Sequence, residues 1–227
     1  MIQEHIHRLT ELLDNSKDSH RAVGMKQYMR NQFDFLGVTS VPRKEMFSTW
    51  KRQLPQNLSS EQRWEIIYEL WEKEEREFQY VAMDWLNSWK ISEIQELDHD
   101  NFKFLISSKS WWDTVDLLSS NVLGKYGQKF PEKMLEVIEE WSVENSFWLH
   151  RATIIFQLRY KQKTNLNTLE NQIVRFKSNK EFFIQKSIGW SLREYAKTDP
   201  NWVEKFVEKH EIVGLAKREA LKYVNRK

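Results

Sequence analysis

The chain has 227 residues, 40% of them hydrophobic, with 35 Lys+Arg against 33 Asp+Glu. That length suits one domain, or at most two small ones, and with 14% aromatic residues the chain is too apolar for intrinsic disorder. Its apolar runs are only a few residues long, which argues against a membrane span, and with no cysteine it can form neither disulfides nor thiolate metal sites. The opening stretch MIQEHIHRLTELLD is acidic and lacks a signal peptide's apolar stretch, so a cytoplasmic protein is expected. Gly is 6 and Pro is 4, both scarce, which predicts long helices joined by short loops. Trp is 11, roughly three times ordinary usage, and Trp often sits where stacking matters.

Taken in chain order, apolar residues recur three and four apart, and strict alternation is absent. Amphipathic helices are predicted over HRAVGMKQYMRNQF (20–33), SSEQRWEIIYELWEK (59–73), REFQYVAMDWLNSW (76–89), PEKMLEVIEEW (131–141) and SFWLHRATIIFQLRYKQ (146–162). Ser59-Ser60-Glu61 and Pro200-Asn201 mark helix starts, and Pro42 and Pro131 sit near two more. The strongest helices begin near Glu77, Trp112, Phe147, Phe182 and Lys217, a constant spacing of 35 residues, and a weaker helix fills each gap. Two helices per repeat of this length indicate an all-α, HEAT-like solenoid whose neighbouring repeats share one core. One domain spanning 1–227 is expected.

The repeat also sets a register. Four residues past each start stand Val81, Asp116, Arg151, Lys186 and Leu221, so three successive repeats carry a charge where a core residue is the norm. Eight past stand Trp85, Ser120, Ile155, Trp190 and Asn225. Offsets zero, four and eight share one stripe of a helix. Trp112, Asp116, Arg151 and Trp190 therefore converge on one side. Two readings stay open. The tryptophans can be core and Asp116 a plain ion-pair partner of Arg151, or the stripe is a site. Of the adjacent Trp111 and Trp112, one should face in and one out.

Charge is unevenly distributed. Residues 1–150 carry 18 Lys+Arg and 25 Asp+Glu, a net −7, whereas residues 151–227 carry 17 and 8, a net +9. A basic third on an acidic body can be a polyanion-binding surface or merely a solvated face. The six His are scattered, and HExxH, Gly-rich phosphate loops and a Gly-x-Ser-x-Gly elbow are absent, so neither a metal nor a cofactor is expected. Lys186 has two uses, as a Schiff-base nucleophile or, preferred here, as a phosphate contact.

The segments KSWWDTVD (109–116), FWLHRATIIFQLRYKQK (147–163) and KEFFIQKSIGWSLREYAKTDP (180–200), with KQYMRNQFDFLGV (26–38) and REFQYVAMDWL (76–86), closely resemble the AlkD-type alkylpurine DNA glycosylase family over nearly the whole chain. The resemblance implies a right-handed HEAT-like solenoid with a concave face for double-stranded DNA. It implies release of N3- and N7-alkylated purines (3-methyladenine, 7-methylguanine) as free bases. Trp112, Asp116 and Trp190 match the family's catalytic trio, Arg151 its groove arginine, and Tyr28 an aromatic residue near the DNA. Lys161, Lys186, Arg193, Lys217 and Arg218 are candidate phosphate contacts. Val38-Thr39-Ser40-Val41-Pro42 departs from the family pattern as a loop about a residue longer. A monomer with no membrane partner is expected. The rival readings are a non-catalytic DNA-structure-binding relative and a HEAT-like protein scaffold.

Overall fold

The computed structural model describes residues 2–226, and among them every regular element is helical apart from one isolated parallel bridge between Asp34 and Glu75. The helices gather into two compact units, Met1–Ser88 and Trp89–Lys227. No helix among the described residues is long and apolar enough to cross a membrane.

The first unit holds α1 (Ile2–Asp14), α2 (Ser19–Tyr28), α3 (Ser40–Gln53), α4 (Ser60–Glu72) and α5 (Arg76–Ser88). Ser59 and Gln62 close a reciprocal capping box on α4, as Ser59-Ser60-Glu61 suggested. The core is rich in tryptophan: Trp50 and Trp71 are fully buried, and Trp50 meets Trp85 edge-on at 5.6 Å. Two expectations need correcting. The helix predicted over 20–33 stops at Tyr28, because Arg30 and Asn31 take positive φ (53° and 57°), a conformation that no right-handed helix contains. The segment read as a loop over Val38–Pro42 is loop only as far as Thr39, since Ser40, Val41 and Pro42 are already the first turn of α3.

What shapes that connection is Glu77, which is fully buried at the start of α5. Its carboxylate accepts three successive backbone N–H groups, from Leu36 (3.1 Å), Gly37 (2.9 Å) and Val38 (3.0 Å). Burial pushes the Glu77 carboxyl above its ordinary range, while these hydrogen bonds pull it back. Gly37 sits at φ +90°, and a Cβ there would lie 2.0 Å from the Asp18 carbonyl oxygen. Only glycine fits.

The second unit holds α6 (Asp98–Ser107), α7 (Trp112–Leu117), α8 (Gly124–Lys129), α9 (Pro131–Val143), α10 (Phe147–Ile155), α11 (Leu166–Phe176), α12 (Phe182–Tyr195), α13 (Pro200–Lys209) and α14 (Gly214–Ala220). Helices α7, α10, α12 and α14 pack in succession, with α9, α11 and α13 beside them, the stacking of a helical-repeat solenoid. The spacing of 35 residues holds from α7 to α12, but α14 begins at Gly214 rather than Lys217. The helix predicted over 146–162 ends at Ile155 and gives way to turns. Ile155, Ile173, Ile184, Ile188, Leu192 and Val203 are fully buried in one cluster; each such side chain contributes about 1.5–3 kcal/mol of burial. Starts are capped: Ser146 and Asp199 accept from Leu149 N and Trp202 N, with Pro200 at the first position of α13. Between α7 and α8 the backbone continues through a wider π-helical turn, Leu118–Leu123, where the Ser119 and Ser120 hydroxyls donate to the carbonyls of Val115 and Asp116 (2.6 and 2.7 Å).

Replacing Gly37 by alanine is expected to cost about 2 kcal/mol or more, since it adds backbone strain to a clash with Asp18. Urea unfolding measures it; a loss under about 0.5 kcal/mol would show that the loop yields without disturbing the Glu77 contacts.

Candidate functional site

The second unit contains a cleft of about 320 Å³ lined by Trp112, Asp116, Arg151, Phe182, Phe183, Lys186, Trp190, Arg193 and Glu219. These residues come from α7, α10, α12 and α14, the helices that the constant spacing singles out. Offset four of the repeat thus supplies Asp116, Arg151 and Lys186 to one place.

At its floor Arg151 grips Asp116 with a bidentate fork, Nε to Oδ1 at 2.6 Å and Nη2 to Oδ2 at 2.8 Å. The third arm of the guanidinium, Nη1, donates to the Phe183 carbonyl. Its carbon also lies 5.9 Å from the centre of the Phe183 ring. Arg151 is buried, with 4% of its surface exposed, whereas the Asp116 side chain keeps 18%. Burial raises the Asp116 carboxyl above its ordinary range, and the hydrogen bond and charge of Arg151 oppose the rise. The result is a desolvated carboxylate with one oxygen edge engaged and one face towards the cleft.

Aromatic rings hold this pair in place. Trp111 meets Trp148 and Phe183 edge-on at 5.9 and 5.4 Å, and Phe147 lies parallel to Phe183 at 6.3 Å. Trp111 and Trp112 do not divide into one buried and one exposed ring, since both are half-buried: Trp111 joins this cluster, and Trp112 lines the cleft with Trp190.

On the opposite side, Glu219 of α14 collects three cations. Its Oε1 accepts from Lys186 Nζ (2.9 Å) and Lys222 Nζ (2.7 Å), and its Oε2 from Arg193 Nη1. Burial favours the neutral acid, but the hydrogen bonds from Lys222 and Lys186 outweigh it, and the Glu219 carboxyl is held down at about 2.

Six predicted residues therefore meet here: Trp112, Asp116, Arg151, Lys186, Trp190 and Arg193. Arg151, matched by resemblance to the family's groove arginine, gives its guanidinium to Asp116 and the Phe183 carbonyl, the ion pair that the register left open. Lys161 is exposed and lines a different hollow, with Gln157, Thr164 and Lys197. Lys217 and Arg218 are exposed on α14 but do not line the cleft. Tyr28 belongs to the first unit and is 70% exposed. Sequence reasoning missed Phe182, Phe183 and Glu219. Phe182 stands at offset zero, the position of Trp112, so the register could have found it; nothing in the repeat pattern marks Glu219. Among the described residues no cluster of His, Cys, Asp and Glu is arranged to hold a metal ion.

Arg151→Ala should leave the Asp116 carboxylate unpaired in the fold, at a cost of about 2–3 kcal/mol after allowance for its partial exposure. With Arg151 gone, the folded-state pKa of Asp116 rises further above its unfolded value. Protonation then favours the fold, so the variant's deficit should shrink as the pH falls towards the carboxylate range. Unfolding curves across that range test this, and a deficit independent of pH would mean that Asp116 is not the group left unpaired.

Residues 9–224 match the family described as DNA alkylation repair enzyme. A solved structure titled "Predicted DNA alkylation repair enzyme from Enterococcus faecalis" superposes with a TM-score of 0.85 at 31% identity, covering 93% of this chain and 98% of that one. No curated protein sequence matches the chain. The match spans both units and every residue of the cleft, and the chain belongs to the DNA alkylation repair enzyme family.

Proposed function

We propose that this protein is a monofunctional DNA glycosylase that hydrolyses the N-glycosidic bond of cationic N3- and N7-alkylated purines in double-stranded DNA. The observation that carries the reading is Asp116: a desolvated carboxylate, clamped by Arg151, in a cleft it shares with Trp112 and Trp190.

Alkylation at N3 or N7 leaves the purine positively charged. When the bond between C1′ and N9 breaks, its electron pair neutralises the base, so the leaving group needs no general acid. The barrier lies in the oxocarbenium-like sugar and in the water that adds to C1′. A fixed carboxylate beside that carbon stabilises the developing charge and can accept the water's proton. The Trp112 and Trp190 rings offer faces to a cation, worth about 0.5–2 kcal/mol each depending on desolvation. Arg151 keeps Asp116 ionised and aimed, while Lys186 and Arg193 face DNA phosphates. A purine that is already cationic can leave without a base-reading pocket, which favours charged lesions over neutral damage.

Lys186 donates its Nζ to Glu219, which suits a cationic contact better than a nucleophile. The product is then an intact abasic site, and borohydride should trap no covalent protein–DNA adduct. A trapped adduct at Lys186 would replace hydrolysis with a lyase mechanism.

Asp116→Asn keeps the volume and loses the charge. Single-turnover release of 7-methylguanine should fall by about 10²–10³, with DNA affinity held or raised. A rate within about threefold of wild type would mean less than about 1 kcal/mol of barrier at stake and would make Asp116 a structural ion-pair residue. Since the ionised carboxylate is the active form and burial raises its pKa, excision by the wild type should decline on acidification above the ordinary aspartate range.

A further inference from the structure

A carboxylate is an unexpected tenant of a surface meant for DNA, because it repels phosphate. Glu219 is 6% exposed and accepts from three cationic side chains at once. Two of the three, Lys186 and Arg193, stand seven residues apart on α12, on the same face two turns from each other, and both line the cleft that holds Asp116. The third, Lys222, lies three residues beyond Glu219 in the chain and does not line the cleft.

The backbone is shaped for this contact. Gly189 lies between Lys186 and Arg193 on α12, and a Cβ there would stand 2.4 Å from Glu219 Cβ and 2.8 Å from the Ala216 carbonyl oxygen. The glycine thus lets α14 approach so closely that the Glu219 side chain reaches both cations. Ala216 and Ala220, both buried, flank Glu219 on α14.

We propose that Glu219 is a positioning residue, which holds Lys186 and Arg193 at fixed spacing as a ready-made clamp for the phosphates beside the lesion sugar. This rests on the DNA-repair reading of the same cleft. Three long cationic side chains within reach of one another would otherwise repel, splay and lose conformational freedom when DNA arrives. A buried carboxylate removes that repulsion and meets the ordering cost before binding. Lys186 and Arg193 keep part of their surface open, 38% and 28% of the side chain, so each has a face left for a phosphate. The group as a whole remains positive, with three cations on one anion.

The proposal predicts an effect opposite in sign to simple Coulomb repulsion. Glu219→Gln removes a negative charge from a DNA-facing cleft, yet undamaged duplex should bind about tenfold more weakly. The log–log dependence of affinity on salt should also flatten by about one to two units as one or both phosphate contacts are lost. Fluorescence anisotropy on undamaged duplex reads both, whether or not the protein excises bases, so failure here is separable from failure of the glycosylase reading. On 7-methylguanine DNA, half-saturation should shift by a similar factor, while the single-turnover rate at saturating DNA stays within about threefold. Equal or tighter binding by folded Glu219→Gln, weaker binding with an unchanged salt slope, or a collapsed saturating rate would each overturn the proposal. If circular dichroism shows that Glu219→Gln does not fold, Glu219→Asp replaces it. Its shorter carboxylate keeps the charge but cannot span both cations, so about threefold weaker binding is expected, and wild-type affinity and slope would overturn the assignment.

Discussion

A carboxylate and a guanidinium buried together set the terms for the second unit. Asp116 on α7 and Arg151 on α10 meet in bidentate contact, and each would be costly to leave in the fold without the other. The pair fixes the distance between two successive inner helices, and the Phe183 carbonyl, by accepting from the same arginine, brings in the start of α12. Three repeats are thus tied at one point by one side chain. Phe183, which the Arg151 guanidinium touches through its carbonyl and ring, in turn packs in an aromatic cluster with Trp111, Phe147 and Trp148.

Stability and chemistry compete at this point. A charge pair at the base of a cleft is a poor way to gain stability, because desolvation offsets most of the attraction. It is a good way to keep a carboxylate ionised, oriented and partly dry. Burial raises the Asp116 pKa, and the hydrogen bond and charge of Arg151 oppose that shift. The same design recurs with opposite sign across the cleft. There a carboxylate, Glu219, is surrounded by Lys186, Arg193 and Lys222, and is held ionised by them. One cluster leaves an anion facing the cleft and the other leaves cations facing it, the two charges that the proposed glycosylase reading calls for.

In the first unit a third buried carboxylate does structural work. Glu77 accepts the N–H groups of Leu36, Gly37 and Val38, and so shapes the connection that leads into α3. Glu77 was visible in the sequence as a repeat start, but its role was not. The partners that satisfy it come from a segment some forty residues earlier, and no local pattern announces a contact at that separation. The same holds for the length of that connection. Read as a loop from Val38 to Pro42, it becomes mostly helix because Thr39, in extended conformation, already serves as the N-cap.

Much could be read from the chain alone. Scarce glycine and proline with three-and-four periodicity determined an all-helical protein, and the spacing of 35 residues from Trp112 to Phe182 determined which helices stack, because residues at equal offsets in stacked repeats must meet. That register by itself puts Trp112, Asp116, Arg151 and Trp190 on one side. Tertiary structure decided what each of them does there. Whether an arginine on an inner helix reaches solvent or a buried carboxylate depends on its rotamer and on the packing of Phe183, neither of which a one-dimensional period encodes. Glu219 entered the cleft because Gly189 lets α14 come within van der Waals distance of α12, a matter of one absent Cβ and of the early start of α14 at Gly214. Periodicity specifies which faces meet; close packing and desolvation specify which charges pair on them.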